Sequence, residues 1–272
     1  MIKMAVFDMD GTLLNKDNEI SIQNLASLKY LRDNNVLVII ATGRPEQLLK
    51  PYFHILGKDN YYIMYNGSVV KNIKQNDYIV KAVITKDEVK EILSISSENN
   101  VLNLSYAEVG IYSKPNYRVD FFKKTQAHLP ADQRTNFILD VDNESIAKDN
   151  DIYKVLLIEN DPVKYELLKD MYTHIKGISQ VRSHTGYLDL VPKNSSKGNA
   201  VKALGNKFNI TSDEIVVFGD QDNDISMFEF AKYSVAMGNA IDRVKEKATF
   251  VTFSNSKNGV AYAVDNYVKS LM

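Results

Sequence analysis

Asp8-Met9-Asp10-Gly11-Thr12 places two carboxylates directly after the apolar run Met4-Ala5-Val6-Phe7, which reads as a strand. Open α/β sheets bind ligands at the carboxyl ends of their strands. Alternate side chains of an extended segment point the same way, so Asp8 and Asp10 can converge on one site while Met9 offers backbone atoms. An isolated Asp-x-Asp is ordinarily a solvated or turn-forming pair, and Asp140-Val141-Asp142 reads that way. Thr42-Gly43-Arg44 follows a second apolar run. A hydroxyl and free N–H groups ahead of a helix suit phosphate oxygens, and equally suit a plain helix cap. Ser196-Lys197-Gly198 sets an ammonium at a helix start, where a cation is disfavoured without a nearby anion. Gly219-Asp220-Gln221-Asp222-Asn223-Asp224 follows Ile215-Val216-Val217-Phe218 and crowds three carboxylates that repel one another unless a cation is present. An EF-hand would need Gly where Ile225 stands and Glu where Ala231 stands. No Walker phosphate-binding string occurs either.

The elements that must position these residues follow from apolar patterning. Strand Met4–Phe7 leads through a loop to a Ser21-capped helix with Ile22, Leu25, Leu28 and Leu31 at helical spacing. Leu37–Ala41 and Tyr61–Tyr65 are further strands, separated by a helical stretch between Pro45 and Gly57. The rhythm returns in helix Lys197–Phe208 and strands Ile215–Phe218 and Tyr233–Met237. Continuously apolar strands alternating with helices predict a parallel sheet covered on both faces. The middle of the chain differs. It holds a capping box at Thr85-x-x-Glu88, extended Leu102–Tyr106 and Lys154–Ile158, and a helix start at Asp161-Pro162. The expected organisation is a Rossmann-like α/β core from 1–84 and 189–272, interrupted by an α+β domain from 85–188.

Composition limits the partners. The 272 residues are 44% hydrophobic and 25% charged, which is ordinary globular usage. Thirty-three Lys+Arg against 34 Asp+Glu provide no basic field for a nucleic acid. The longest apolar run, Val36–Ala41, is far below the roughly 20 residues that span a bilayer. With no leader-like amino terminus, a cytoplasmic protein without a membrane partner is expected. The absence of Cys excludes disulfides and thiolate chemistry. The four His are never paired at zinc-site spacing, so a hard, oxygen-preferring metal is expected.

All four motifs lie at strand ends or helix starts of one sheet, and together they resemble the haloacid dehalogenase superfamily. Ala41-Thr42-Gly43-Arg44, Tyr65-Asn66-Gly67, Gly219–Asp224 with Met227, and Val235-Ala236-Met237-Gly238-Asn239-Ala240 are similar to its Cof-type branch. That branch inserts a large α+β cap, in agreement with the middle segment. Lys193-Asn194 departs from the Gly and apolar residue often found ahead of the family lysine.

The resemblance implies a Mg²⁺-dependent phosphatase in which Asp8 is the nucleophile that forms an aspartyl phosphate. Asp10 is the general acid and base, protonated at the outset beside an ionised Asp8. Asp8, the Asp10 carbonyl and Asp220 hold Mg²⁺. Lys197, Thr42, Asn223 and the backbone at Met9 and Gly43 bind the phosphoryl oxygens, and Asp224 supports Lys197 or a metal-bound water. The cap chooses the leaving group, with Arg44, Asn66, Arg182 and His184 as substrate contacts and Tyr112, Tyr117 and Arg118 as further candidates. The implied partner is a small phosphorylated metabolite: a sugar phosphate first, then flavin mononucleotide or pyridoxal phosphate. The chain is expected to be a monomer or weak homodimer. A sugar-phosphate sensor and a phosphomutase are the alternatives on the same fold. A phosphate-accepting receiver domain is disfavoured, because no Asp ends strand Tyr61–Tyr65.

Overall fold

β-Branched and aromatic runs pair side by side wherever both of their faces can be covered. The computed structural model describes residues 1–272 apart from the side chain of Asp149. Contacts group the chain into two compact units, one of residues 1–42, 59–80 and 196–272, the other of 43–58 and 81–195. The second unit therefore spans more than the segment 85–188 marked by sequence patterning, and it takes in the stretch that follows Thr42.

The chain begins with β1 (Met4–Asp8), β2 (Leu37–Ala41), β3 (Tyr61–Met64), β4 (Val69–Asn72) and β5 (Asp77–Lys81). The second unit supplies β6 (Leu102–Ala107), β7 (Ile111–Ser113), β8 (Phe137–Leu139), β9 (Ile152–Ile158), β10 (Ile178–His184) and β11 (Tyr187–Pro192). The first unit resumes with β12 (Ile215–Gly219), β13 (Tyr233–Ala236) and β14 (Phe250–Val251).

The eight-stranded sheet of the first unit runs in the order β14-β13-β12-β1-β2-β3-β4-β5. From β14 to β3 every pair is parallel. Met4 is in register with both Leu37 and Ile215, so β1 lies at the centre and all its residues are buried. On one face Val6, Ile39, Ile63 and Val217 meet Leu204 and Val201 of helix Lys197–Phe208 and Met227 of helix Ile225–Phe230. On the other, Phe7 and Phe218 stack with ring centres 4.5 Å apart.

The parallel pattern read from the sequence ends at β3. Residues 65–68 turn the chain back, so that β4 pairs antiparallel with β3 and β5 follows at the edge. Val69-Val70-Lys71-Asn72 carries only two apolar residues, too short a run to register as a strand by patterning.

The second unit is an antiparallel sheet in the order β10-β11-β9-β6-β7-β8, with only β7 and β8 parallel. Ile152, Val155, Leu157, Leu188 and Leu190 form one face with Val89, Ile92 and Leu93 of helix Lys86–Glu98 and with Tyr165 and Leu168 of helix Pro162–Met171. Both bonds of the Thr85–Glu88 capping box form. Asp142 caps the helix Asn143–Asp149 through the Ser145 N–H, which gives Asp140-Val141-Asp142 a structural role. No helix among the described residues is long and apolar enough to cross a membrane.

Leu157 is fully buried, whereas the Thr85 cap lies at the surface. Leu157→Ala should therefore cost about 2–5 kcal/mol and Thr85→Ala about 1 kcal/mol. Urea unfolding followed by circular dichroism should show the larger midpoint shift for the core variant, and the reverse order would contradict the assignment of that core.

Candidate active site

Strand β1 ends at Asp8, and the next five residues make one wide turn closed by the Leu14 N–H donating to the Met9 carbonyl at 2.9 Å. Gly11 has φ +80° inside this turn, and a Cβ there would sit 2.3 Å from Asp220 Oδ2. Only glycine allows both the backbone and the close approach. Thr12 then donates its hydroxyl to Asp220 Oδ1 at 3.0 Å. The turn after β1 and the turn after β12 are thereby locked together.

Helix Lys197–Phe208 starts beside them, capped by Ser196 Oγ accepting from the Asn199 N–H at 3.1 Å. The Lys197 side chain is buried, and its ammonium donates to Asp8 Oδ1 at 2.5 Å and to Asp224 Oδ1 at 2.6 Å. These two carboxylates supply the anion that a cation at a helix start requires. Asp224 Oδ2 accepts from the Asp220 and Gln221 N–H groups at 2.8 and 3.0 Å, so this side chain fixes the loop and the lysine together. A Cβ at Gly219 would lie 2.5 Å from Asp224, which keeps that position free of side chains.

Asp8, Asp220 and Asp224 are all buried, each with a carboxylate oxygen within 4.8 Å of the others'. Burial is the first cause that pushes Asp8 well above the ordinary carboxylate range, with Lys197 opposing it and Asp224, Asp220 and Asp10 adding to it. Asp220 is pushed up to about 7, by burial first and then by Asp224, against the hydrogen bond from Thr12. Lys197 is raised, because Asp224 and Asp8 together outweigh its burial. One ammonium is thus too little positive charge for three buried carboxylates. An all-oxygen donor set with a charge deficit fits a hard divalent cation.

Asp10, by contrast, is exposed. The sequence reading makes Asp10 the protonated partner of an ionised Asp8. Lys197 is the one cation among the described residues that lowers Asp8, and burial still holds Asp8 well above the ordinary carboxylate range. An ionised Asp8 requires a further positive charge beside it.

Thr42 is fully buried at the end of β2, its N–H donating to the Ile63 carbonyl at 2.9 Å and its carbonyl accepting from the Asn66 N–H at 3.1 Å. Asn66, a predicted substrate contact, is buried in a left-handed turn, and its side-chain oxygen accepts from Asn223 Nδ2 at 3.0 Å. It orients Asn223. The Met9 side chain is fully buried. Asp222 turns away from Lys197 to pair with Arg243.

The other predicted contacts lie in the second unit. The Gly43 carbonyl accepts from Lys154 Nζ at 2.9 Å. Arg44 lies over the Tyr52 ring at 5.5 Å. Exposed Arg182 covers Tyr165 at 5.5 Å, and exposed His184 accepts from the neighbouring Thr185 N–H at 2.7 Å. Tyr112 is buried in the hydrophobic cluster, with its hydroxyl on Asn150 Oδ1 at 2.8 Å.

Two residues given no role by the sequence reading belong to the site. Thr12 holds Asp220, and Asn239 Nδ2 donates to the Gly11 carbonyl at 2.8 Å and reaches Asp220 Oδ2 at 3.5 Å. Asn239 is held in turn by the Asn255 N–H, which donates to its Oδ1 at 2.9 Å. Polar residues at fixed places inside motifs are the only sequence signal for such support.

A parallel sheet thus gathers a buried aspartate cluster around one lysine at its strand ends, and the proteins that share this fold and sequence are hydrolases of phosphoric monoesters. The chain belongs to the haloacid dehalogenase-like hydrolases, whose family pattern matches residues 5–264. It is 32% identical to the 5-amino-6-(5-phospho-D-ribitylamino)uracil phosphatase YwtE of Bacillus subtilis, over 97% of each chain. It is 29% identical to the phosphatase YwpJ of the same organism, over 96% of this chain and 98% of that one. Among solved structures, a haloacid dehalogenase-like hydrolase from B. subtilis superposes with a TM-score of 0.86 at 28% identity, covering 98% of this chain and all of the other. A haloacid dehalogenase subclass IIB sugar phosphatase gives 0.82 at 25% identity, covering 99% of this chain and 100% of that one.

A carboxylic acid protonated in the folded state and ionised in the unfolded one favours folding less as pH rises between its two pKa values. For Asp220 that window runs from its ordinary 3.8 to about 7. With chelator present, the melting temperature should fall between pH 5 and pH 7, and Asp220→Asn should flatten the slope. Saturating divalent cation should do the same. Equal slopes in all three samples would contradict the buried-charge account.

Proposed function

We propose that this protein is a Mg²⁺-dependent phosphatase of small phosphorylated metabolites that works through an aspartyl phosphate on Asp8. The observation that carries the reading is the hydrogen bond from Lys197 to Asp8 Oδ1 within the buried Asp8–Asp220–Asp224 cluster. A lysine held between two carboxylates keeps its charge and orients Asp8, leaving Oδ2 to attack phosphorus. Asp8, Asp220 and the Asp10 backbone would hold the cation, whose charge lets the anionic phosphoryl group approach the carboxylates. Asp224 is occupied by Lys197 and two backbone N–H groups, which suits a supporting role better than a ligand role.

In this reading Lys197, Thr42, Asn223 and the N–H groups near Met9 and Gly43 neutralise the phosphoryl oxygens. Such positioning and charge stabilisation supply most of phosphoryl-transfer catalysis. Asp10, exposed and two residues beyond Asp8, protonates the leaving alkoxide and then deprotonates the water that releases phosphate. Two relatives support a substrate class. One acts on a phosphorylated ribityl chain and another on a sugar phosphate. Both substrates carry the phosphate on a polyhydroxylated carbon chain, so sugar and polyol phosphates come first, with flavin mononucleotide among them because of its ribityl chain. The second unit selects among them.

The test is inorganic phosphate release from sugar phosphates, flavin mononucleotide, pyridoxal phosphate and an aryl phosphate, with Mg²⁺ and with chelator. Asp8→Asn should abolish Mg²⁺-dependent release, and Lys197→Ala should reduce kcat by about 10²–10³-fold. Unchanged turnover in Asp8→Asn would overturn the covalent route. Silence of the wild-type protein across the panel would overturn the phosphatase reading.

A further inference from the structure

The helix Tyr117–Thr125 of the second unit starts with a cation in an unusual setting. Asn116 caps it, with Oδ1 accepting from the Arg118 and Val119 N–H groups at 2.9 and 3.0 Å and Nδ2 donating to Ser113 Oγ at 2.9 Å. This cap fixes the backbone from which the Arg118 side chain leaves. The guanidinium carbon lies 4.5 Å from the centre of the Phe122 ring, 5.2 Å from Phe121 and 5.5 Å from Tyr187. Three aromatic rings hold one planar cation.

Arg118 Nε is buried without a hydrogen-bond acceptor, and among the described residues no carboxylate pairs with the guanidinium. Asp189, on the strand that also carries Tyr187, is taken by Lys154 at 3.0 Å. A cation in the first turn of a helix meets the positive end of the macrodipole, and a buried donor without an acceptor is costly. Tyr117 and Phe121 are 60% and 52% exposed, so large rings stand in solvent beside the cation. Packing alone does not account for this arrangement.

We propose that Arg118, with Phe121, Phe122 and Tyr187 around it, is a binding site for an oxyanion group of a small molecule, a carboxylate or a phosphate. A guanidinium presents paired N–H donors that match a carboxylate or phosphate edge, and the surrounding rings hold that fork in place. The oxyanion is either a second group on the phosphorylated substrate or a separate small anion. The site stands on its own geometry, and only the kinetic arm of its test rests on the phosphatase reading.

The full-length protein is compared with Arg118→Met, which keeps the stem and removes the charge, and with Arg118→Lys, which keeps the charge and removes the fork. Circular dichroism melts verify folding of both variants. In the binding arm, calorimetry with malonate should show association that weakens at least about tenfold in Arg118→Met, with Arg118→Lys in between. In the kinetic arm, KM for 6-phosphogluconate should rise about tenfold or more in Arg118→Met. For glucose 6-phosphate, which lacks the second oxyanion, the rise in KM should be clearly smaller than for 6-phosphogluconate. A change in KM identifies the oxyanion as part of the substrate, and a change in malonate binding alone identifies a separate anion. The proposal is overturned if Arg118→Met matches the wild type in both arms. Failure of the phosphatase reading is separate: the wild type would release no phosphate from any compound, and malonate binding would still decide on the site.

Discussion

The Lys197 ammonium between Asp8 and Asp224 is the contact around which the first unit is organised. A buried cation is tolerated only with its anions in place, and removing either partner would leave uncompensated charge in the interior. Three segments far apart in sequence must therefore arrive together: the end of β1, the start of helix Lys197–Phe208 and the loop after β12. Parallel register supplies the alignment, because Phe7 pairs with Phe218 one residue before each acidic loop begins. The glycines follow from the same demand. A side chain at position 11 would strike Asp220, one at 219 would strike Asp224, and one at 67 would strike the Ser196 carbonyl just ahead of Lys197.

The cluster is built with a deficit of positive charge. Asp8 and Asp220 are both held above their ordinary range because burial and mutual repulsion exceed what Lys197 offsets. A hard divalent cation would answer that deficit. The sheet whose strand ends carry these like charges is held by apolar packing, with Val6, Ile39 and Val217 fully buried in its core.

The chemistry of the first unit was legible because it sits where strong patterns end. Met4–Phe7 and Ile215–Phe218 are continuously apolar, so the acids that follow them are marked as strand-end residues. Lys197 stood out by its electrostatic misplacement at a helix start, and the structure answers that with two carboxylates. What patterning missed depends on tertiary environment. Asn66 has the composition of a ligand contact, but its left-handed backbone and burial turn it toward Asn223. Strands β4 and β5, next to and at the sheet edge, carry apolar runs of only two and three residues, and the support from Thr12 and Asn239 is made of contacts across long sequence separations. The second unit was legible only as an α+β pattern, since its polar residues lie on strands whose two faces sequence alone does not distinguish. Arg118 illustrates this: its type was visible, while the absence of a carboxylate partner required coordinates.

In the proposed mechanism Asp8 carries the phosphoryl group during turnover. The most direct test uses the Asp10→Asn variant with an aryl phosphate, whose good leaving group needs no proton while release of the acyl phosphate still needs a base. Acid quenching followed by peptide mass spectrometry should find one phosphoryl group on the peptide containing Asp8. Turnover of the aryl phosphate by this variant with Asp8 unmodified at every quench time would contradict the account.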